Sequence, residues 1–142
     1  VEIKDMRYLL DTNTLIFAIS DREQLSNDIL NLLDDYSNIL YTSSICIVEL
    51  LQLYRIEKIS TQYKTAGEMI QAIEDDFYIE ILPFTKQHTK LLSKLEIADG
   101  HNDPFDHAII SQAIAEKLNV ISSDRKFEKY TPQKLLFTYN KR

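Results

Sequence analysis

Apolar residues recur with two different periods along this chain. Tyr8-Leu9-Leu10 is a short unbroken apolar run closed by Asp11-Thr12-Asn13, the pattern of a buried strand ending in small polar residues. Leu118-Asn119-Val120-Ile121 repeats it near the other end and closes in Ser122-Ser123-Asp124. Between these runs the spacing is mostly helical. It predicts helices over Leu25 to Tyr36 and Ser43 to Tyr54, and another traced by Tyr63, Ala66, Met69, Ile70, Ile73 and Phe77. A further helix from Lys86 to about Leu95 precedes a turn at Gly100. Phe105, Ile109, Ala113 and Ile114 define the clearest helix, which ends near Lys117. Asn38 to Tyr41 and Tyr78 to Leu82 read as strands, and after Asp124 come a helical turn and a last strand around Leu135 to Thr138. Strands alternating with helices predict an α/β fold around a parallel sheet.

Four acids stand out within this pattern. Asp11 and Asp124 each follow a strand, and in open α/β sheets ligands collect beyond the carboxyl ends of the strands. Each has a structural alternative: Asp11 as the cap of a helix from about Thr14, and Asp124 as a turn residue before Arg125-Lys126-Phe127. Pro104 suits the first position of its helix, which makes Asp103 the N-cap and Asp106 the third helical residue. The helix dipole alone would explain a carboxylate there. Glu49 is the lone charge between Ser43 and Tyr54. Burying an unpaired carboxylate costs several kcal/mol, so Glu49 either meets a partner such as a metal ion or lies on a narrow solvent stripe with Gln52.

Taken in order, Leu9-Leu10-Asp11-Thr12-Asn13, Ser44-Ile45-Cys46-Ile47-Val48-Glu49, Asp103-Pro104-Phe105-Asp106 and Ile121-Ser122-Ser123-Asp124-Arg125-Lys126-Phe127 resemble the signature blocks of the PIN-domain ribonucleases. They most resemble the VapC-type toxins of bacterial toxin–antitoxin pairs. The resemblance runs from about Met6 to the end of the chain, and four ordered blocks are far more specific than any one of them. It implies a three-layer α/β/α PIN-like domain with a central parallel sheet, and a metal-dependent RNA endonuclease that leaves a 5′-phosphate and a 3′-hydroxyl. Asp11, Glu49, Asp106 and Asp124 match the acidic quartet of the family, while Asn13 and Ser122 match polar residues that orient it. The resemblance also implies a homodimer and a small antitoxin that covers the site. Two positions depart from the pattern: His107 stands where the family usually has Arg, and Val48 where an aromatic residue often precedes the helix-borne Glu.

Carboxylates without His or Cys suit hard Mg²⁺ or Mn²⁺ better than zinc. His88, His101 and His107 lack zinc-motif spacing and read as surface or turn residues. The 142 residues, 44% hydrophobic and without a low-complexity linker, read as one domain over 1–142. Val1–Asp5 reads as either an artificial addition or an upstream extension before a natural start at Met6. The longest apolar run, Leu15 to Ile19, is too short for a membrane span, and the expectation is a soluble cytoplasmic protein. Cys46 reads as a buried small hydrophobe.

A net charge of −6 argues at first against an RNA partner. Setting aside the quartet leaves 18 acids against 16 bases, or −2. Residues 117–142 hold seven Lys or Arg against Asp124 and Glu128, so that segment is +5 and the remainder −11. Arg125, Lys126 and Lys129, with His107, are therefore candidate RNA contacts, although ordinary solvated surface explains such residues equally well. Two competing functions remain: a catalytically silent PIN-like module that binds RNA or protein, and a phospho-accepting α/β domain. The second is disfavoured because no paired acids accompany Asp11.

Overall fold

The chain winds outward in both directions from its first strand. The computed structural model describes residues 6–142, so Val1–Asp5 and the expectation attached to them lie outside the described residues. Strands β1 (Arg7–Leu10), β2 (Ile39–Ser43), β3 (Ile79–Leu82), β4 (Asn119–Ser122) and β5 (Leu136–Tyr139) form one sheet in the order β3-β2-β1-β4-β5. Every pairing is parallel, and Leu10 lies between Thr42 of β2 and Ile121 of β4. Leu9, Leu10, Val120 and Ile121 are fully buried, as the central strands of a sheet covered on both faces require. Helices α1 (Thr12–Ser20), α2 (Asn27–Asp34), α3 (Ser44–Arg55), α4 (Ala66–Asp75), α5 (Lys86–Leu92) and α6 (Pro104–Glu116) flank the sheet, with a 3₁₀ helix over Arg125–Gln133 before β5. This is the α/β/α architecture expected from the sequence.

Helix α5 stops at Leu92, short of the expected Leu95; two other helices start later than their apolar spacing predicts, and caps explain both. Ser26 accepts a hydrogen bond from Ile29 N–H and starts α2 there, leaving Leu25 buried ahead of the helix. Thr65 accepts from Glu68 N–H and starts α4 at Ala66, so Tyr63 packs against the core from a loop. A local side-chain oxygen thus decides where a helix begins within a longer apolar pattern. Among the described residues no helix is long and apolar enough to cross a membrane.

The topology reverses between β1 and β4. The chain steps from β1 to β2 and β3 on one side, then returns to place β4 and β5 on the other. Parallel strands that diverge in this way open a crevice at their carboxyl ends. Thr14 closes the floor of that crevice, since its hydroxyl donates to Ile121 O at 2.9 Å and so ties α1 to the end of β4.

Asn140, just beyond β5, is a buried tie that the sequence does not flag. Its Oδ1 accepts from Ser26 N–H at 2.8 Å, and its amide donates to Gln24 O and Ser123 Oγ at 2.9 and 2.8 Å. Asn140→Ala leaves Ser26 N–H and Gln24 C=O without these partners and should cost about 2–3 kcal/mol. Urea unfolding checks this as a lower midpoint at unchanged slope, and an unshifted midpoint would contradict the tie.

Candidate functional site

Four parts of the chain deliver carboxylates to the crevice, and three of them are held by backbone. Asp11 follows β1 directly and caps α1, accepting from Thr14 N–H at 2.9 Å. Asp124 lies two residues beyond β4 and caps the 3₁₀ helix, accepting from Lys126 N–H at 2.9 Å. Asp103 caps α6 through Oδ1, which accepts from Phe105 and Asp106 N–H at 2.9 and 3.4 Å. The capping reading and the site reading of Asp11 and Asp124 are therefore compatible: one carboxylate oxygen satisfies the helix terminus, and the group still lines the crevice.

Glu49 enters from α3. Its Oε1 accepts a short hydrogen bond from the Thr12 hydroxyl, so the first residue of α1 orients the carboxylate of α3. Glu49 is half-buried, while Val48 beside it is 56% exposed and Ile56 54%. Helix α3 thus buries Cys46, Ile47 and Leu50 on one side and leaves Val48, next to Glu49, open to solvent.

A polar cavity of about 100 Å³ is lined by Asp11, Thr12, Asn13, Glu49, Asp103, Asp106 and Asp124. The four sequence-predicted acids are together in it, and Asp103, expected only to cap a helix, is a fifth. Ser122 is fully buried, and its Oγ accepts from Asp124 N–H at 3.0 Å. Asn13 lines the cavity, but the hydrogen bond that orients an acid comes from its neighbour Thr12.

The histidines correct the sequence reading. His88 is buried, with Nε2 at 2.9 Å from Glu116 Oε1. His101 is also buried, and its Nε2 lies 3.0 Å from Asp106 Oδ2. His107 is partly buried and donates from Nε2 to His101 O at 2.8 Å, which commits it to the loop before α6. Three isolated histidines carried no periodic signal, and their burial depends on tertiary packing. Arg125, Lys126 and Lys129 are exposed beside the site, with the Arg125 guanidinium 4.0 Å above the Tyr139 ring.

Gathering the acids changes how they titrate. The Asp106 carboxyl is pushed up to about 8, first by burial and then by repulsion from Asp103, Asp11, Asp124 and Glu49. Asp11 is raised by burial, with the hydrogen bonds from Ser122 and Thr14 opposing and Asp124 adding repulsion. Burial also raises Glu49, against the hydrogen bond from Thr12 and with repulsion from Asp103 and Asp11. His101 is lowered by burial, which outweighs the attraction of Asp124 and Asp103; Lys126 and Lys129 lower it further. A cavity of hard oxygen donors in which the carboxyls of Asp11, Glu49 and Asp106 are raised fits an oxygen-loving divalent cation. Asp11, Asp106, Asp124 and Glu49 could hold it, with Asp103 adding negative charge.

Linkage gives this a measurable sign. Asp106 binds its proton more tightly when folded, so its contribution favours the fold at low pH and is lost as pH rises from about 4 to about 8. The lowered His101 works oppositely, but only below its ordinary 6.5. The clean window is therefore about pH 6.5 to 8, where one proton corresponds to at most about 2 kcal/mol. Chelator-treated protein should lose a few degrees of melting temperature across that window. Asp106→Asn should flatten the profile, and a wild-type profile flat over the same range would contradict the raised carboxyl.

A sequence profile described as "PIN domain" matches residues 8–131. A search of curated proteins found no match. Among solved structures, the chain is similar to VapBC2 from Rickettsia felis, bound to a DNA fragment from its promoter, at 26% identity and a TM-score of 0.69, covering 95% of this chain and 99% of that one. It also resembles VapBC-1 from nontypeable Haemophilus influenzae, at 19% identity and a TM-score of 0.68, with 94% and 98% covered. FitAcB from Neisseria gonorrhoeae aligns at 20% identity and a TM-score of 0.64, with 94% and 96% covered. At these last two identities the likeness is one of fold. The profile match, which runs from within β1 into the 3₁₀ helix, makes this chain a member of the PIN domain family.

Proposed function

We propose that this chain is a divalent-metal-dependent endoribonuclease and the toxin of a VapBC-type pair. The observation that carries the reading is the cavity in which Asp11, Glu49, Asp103, Asp106 and Asp124 converge. Five acids at one sheet edge are costly unless a cation relieves them, and the PIN family is one of nucleases. Support for the toxin assignment comes from the VapBC and FitAcB structures that share the fold.

The residues take distinct roles in this proposal. Asp11, Asp106 and Asp124 hold the cation, and Ser122 fixes the Asp11 and Asp124 ends of the site. Glu49, steadied by Thr12, positions the attacking water and receives its proton, a task its raised pKa suits. A bound Mg²⁺ or Mn²⁺ would supply a more acidic water and charge neutralisation at the phosphodiester. Arg125, Lys126 and Lys129 meet the flanking phosphates, which gives the basic C-terminal segment a use. The products are a 5′-phosphate and a 3′-hydroxyl. An antitoxin would cover the cavity and the exposed apolar side chains of Val48 on α3 and Ile56 just after it. A cytoplasmic homodimer completes the proposal.

Induced expression of wild type and Asp11→Asn, with mapping of new RNA 5′-phosphate ends, tests the chemistry. Wild type should arrest growth and generate such ends, whereas Asp11→Asn should lose at least about 100-fold in cleavage rate. Equal toxicity without new ends in either strain would favour a silent binding module. In vitro, Mn²⁺ should raise the melting temperature of wild type and do so less for Asp106→Asn. An unchanged wild-type melting temperature with either ion would remove the shared site.

A further inference from the structure

A buried histidine lies behind the carboxylate cavity, and none of the roles above uses it. His101 is 1% exposed and does not line the cavity, whereas Asp106, which it touches, does. Its Nε2 is 3.0 Å from Asp106 Oδ2, and its Nδ1 is 2.7 Å from the Tyr130 hydroxyl. His101 thus bridges α6 and the 3₁₀ helix that follows Asp124.

Proton positions along this bridge follow from its donors and acceptors. Tyr130 is fully buried, and its oxygen accepts from Ala98 N–H at 3.1 Å. Among the described residues, His101 Nδ1 is the one acceptor in reach of the Tyr130 proton. A buried hydroxyl without an acceptor is costly, so Tyr130 donates to Nδ1. An imidazole accepting at Nδ1 is neutral and carries its proton on Nε2, and Nε2–H therefore donates to Asp106 Oδ2. Packing fixes the ring in that orientation. His107 meets it edge-on at 4.8 Å between centroids and holds its carbonyl, and Phe127 lies at 6.1 Å.

We infer that His101, set in one tautomer by Tyr130, is a positioning residue for Asp106: it engages Oδ2 and leaves Oδ1 to the cation in the cavity. The role rests on the metal-nuclease reading above. Polar groups behind a liganding carboxylate restrict its rotation and tune its basicity, and their loss weakens metal binding about 10- to 100-fold. The His101, Asp106 and Asp124 ligand atoms all lie within 4.8 Å of one another, which raises direct ligation by His101 as the rival role. Ligation would require Nε2 to lose its proton and its bond to Asp106, and Tyr130 to accept a second N–H. The observed hydrogen bonds favour positioning.

Nitrogen-15 NMR of histidine-labelled, chelator-treated protein should find His101 in the Nε2–H tautomer and find that preference weakened in Tyr130→Phe. Calorimetric Mn²⁺ titration should give His101→Leu an affinity about 10- to 100-fold below wild type. His101→Gln, whose amide N–H can reach toward Oδ2, should recover most of the loss. Cleavage by His101→Leu should fall in kcat with little change in KM for RNA. Should His101→Leu fail to fold, Tyr130→Phe carries the test with a severalfold weaker Mn²⁺ affinity. Wild-type affinity in the folded variants, an Nδ1–H tautomer in wild type, or imidazole ¹⁴N coupling to Mn²⁺ in pulsed EPR would each overturn the positioning role. The two readings fail differently. Wild type that binds no Mn²⁺ removes both, whereas binding that is lost in Asp106→Asn but intact in His101→Leu removes only this one.

Discussion

Mutual repulsion among carboxylates is the constraint around which this molecule is arranged. Asp11, Glu49, Asp103, Asp106 and Asp124 share a cavity of about 100 Å³, and each would lower its energy by swinging into water. Backbone attachments prevent that escape. Asp11, Asp103 and Asp124 each accept hydrogen bonds from the first turn of the helix they begin, so leaving the cavity would expose orphan N–H groups as well as relieve repulsion. Glu49 and Asp106 instead depend on side chains, Thr12 and His101. The cost of assembly is thus shared by the helix termini.

The reversal of strand order explains why the acids meet where they do. With β1 and β4 adjacent at the centre of the sheet, Asp11 and Asp124 fall on neighbouring strand ends although 113 positions separate them in sequence. Helices α3 and α6 contribute Glu49 and Asp106 over the same edge. A repulsive cluster at the carboxyl ends also keeps the cost away from the apolar centre, where Leu9, Leu10, Val120 and Ile121 are fully buried. Folding and site assembly therefore compete only at the rim.

Local chemistry in the sequence made part of this legible. Strand-end grammar identified Asp11 and Asp124, and Pro104 placed Asp103 as a cap and Asp106 one turn into the helix. Residues whose roles depend on distant partners left no such trace. His101 carries no periodic signal, yet it is buried because Tyr130, 29 positions later, folds back over it. Asn140 likewise carries no local signal, and its role lies in its contacts with Ser26 and Gln24, more than 110 positions earlier. The apolar spacing around Glu49 left open which side of its helix packs inward; Cys46, Ile47 and Leu50 are buried, whereas Val48 is open to solvent. Hydrophobic pattern reports which face could be buried, and only tertiary packing reports which one is.

Combining cap and charge in one side chain also determines how the site can be dissected. Asn caps a helix nearly as well as Asp, so Asp→Asn at positions 11, 103 or 124 removes charge while keeping the terminus satisfied. Ala at the same positions removes both and costs about 0.5–2 kcal/mol of helix stability in addition. Charge and cap pull in opposite directions in the metal-free protein, since losing charge relieves repulsion while losing a cap destabilises. An Ala variant can therefore appear neutral by cancellation. Asp106 lacks a capping duty, so its substitution reports electrostatics with the least admixture, and the Asn variants at 11, 103 and 124 measure how the remaining repulsion is divided among the three helix ends.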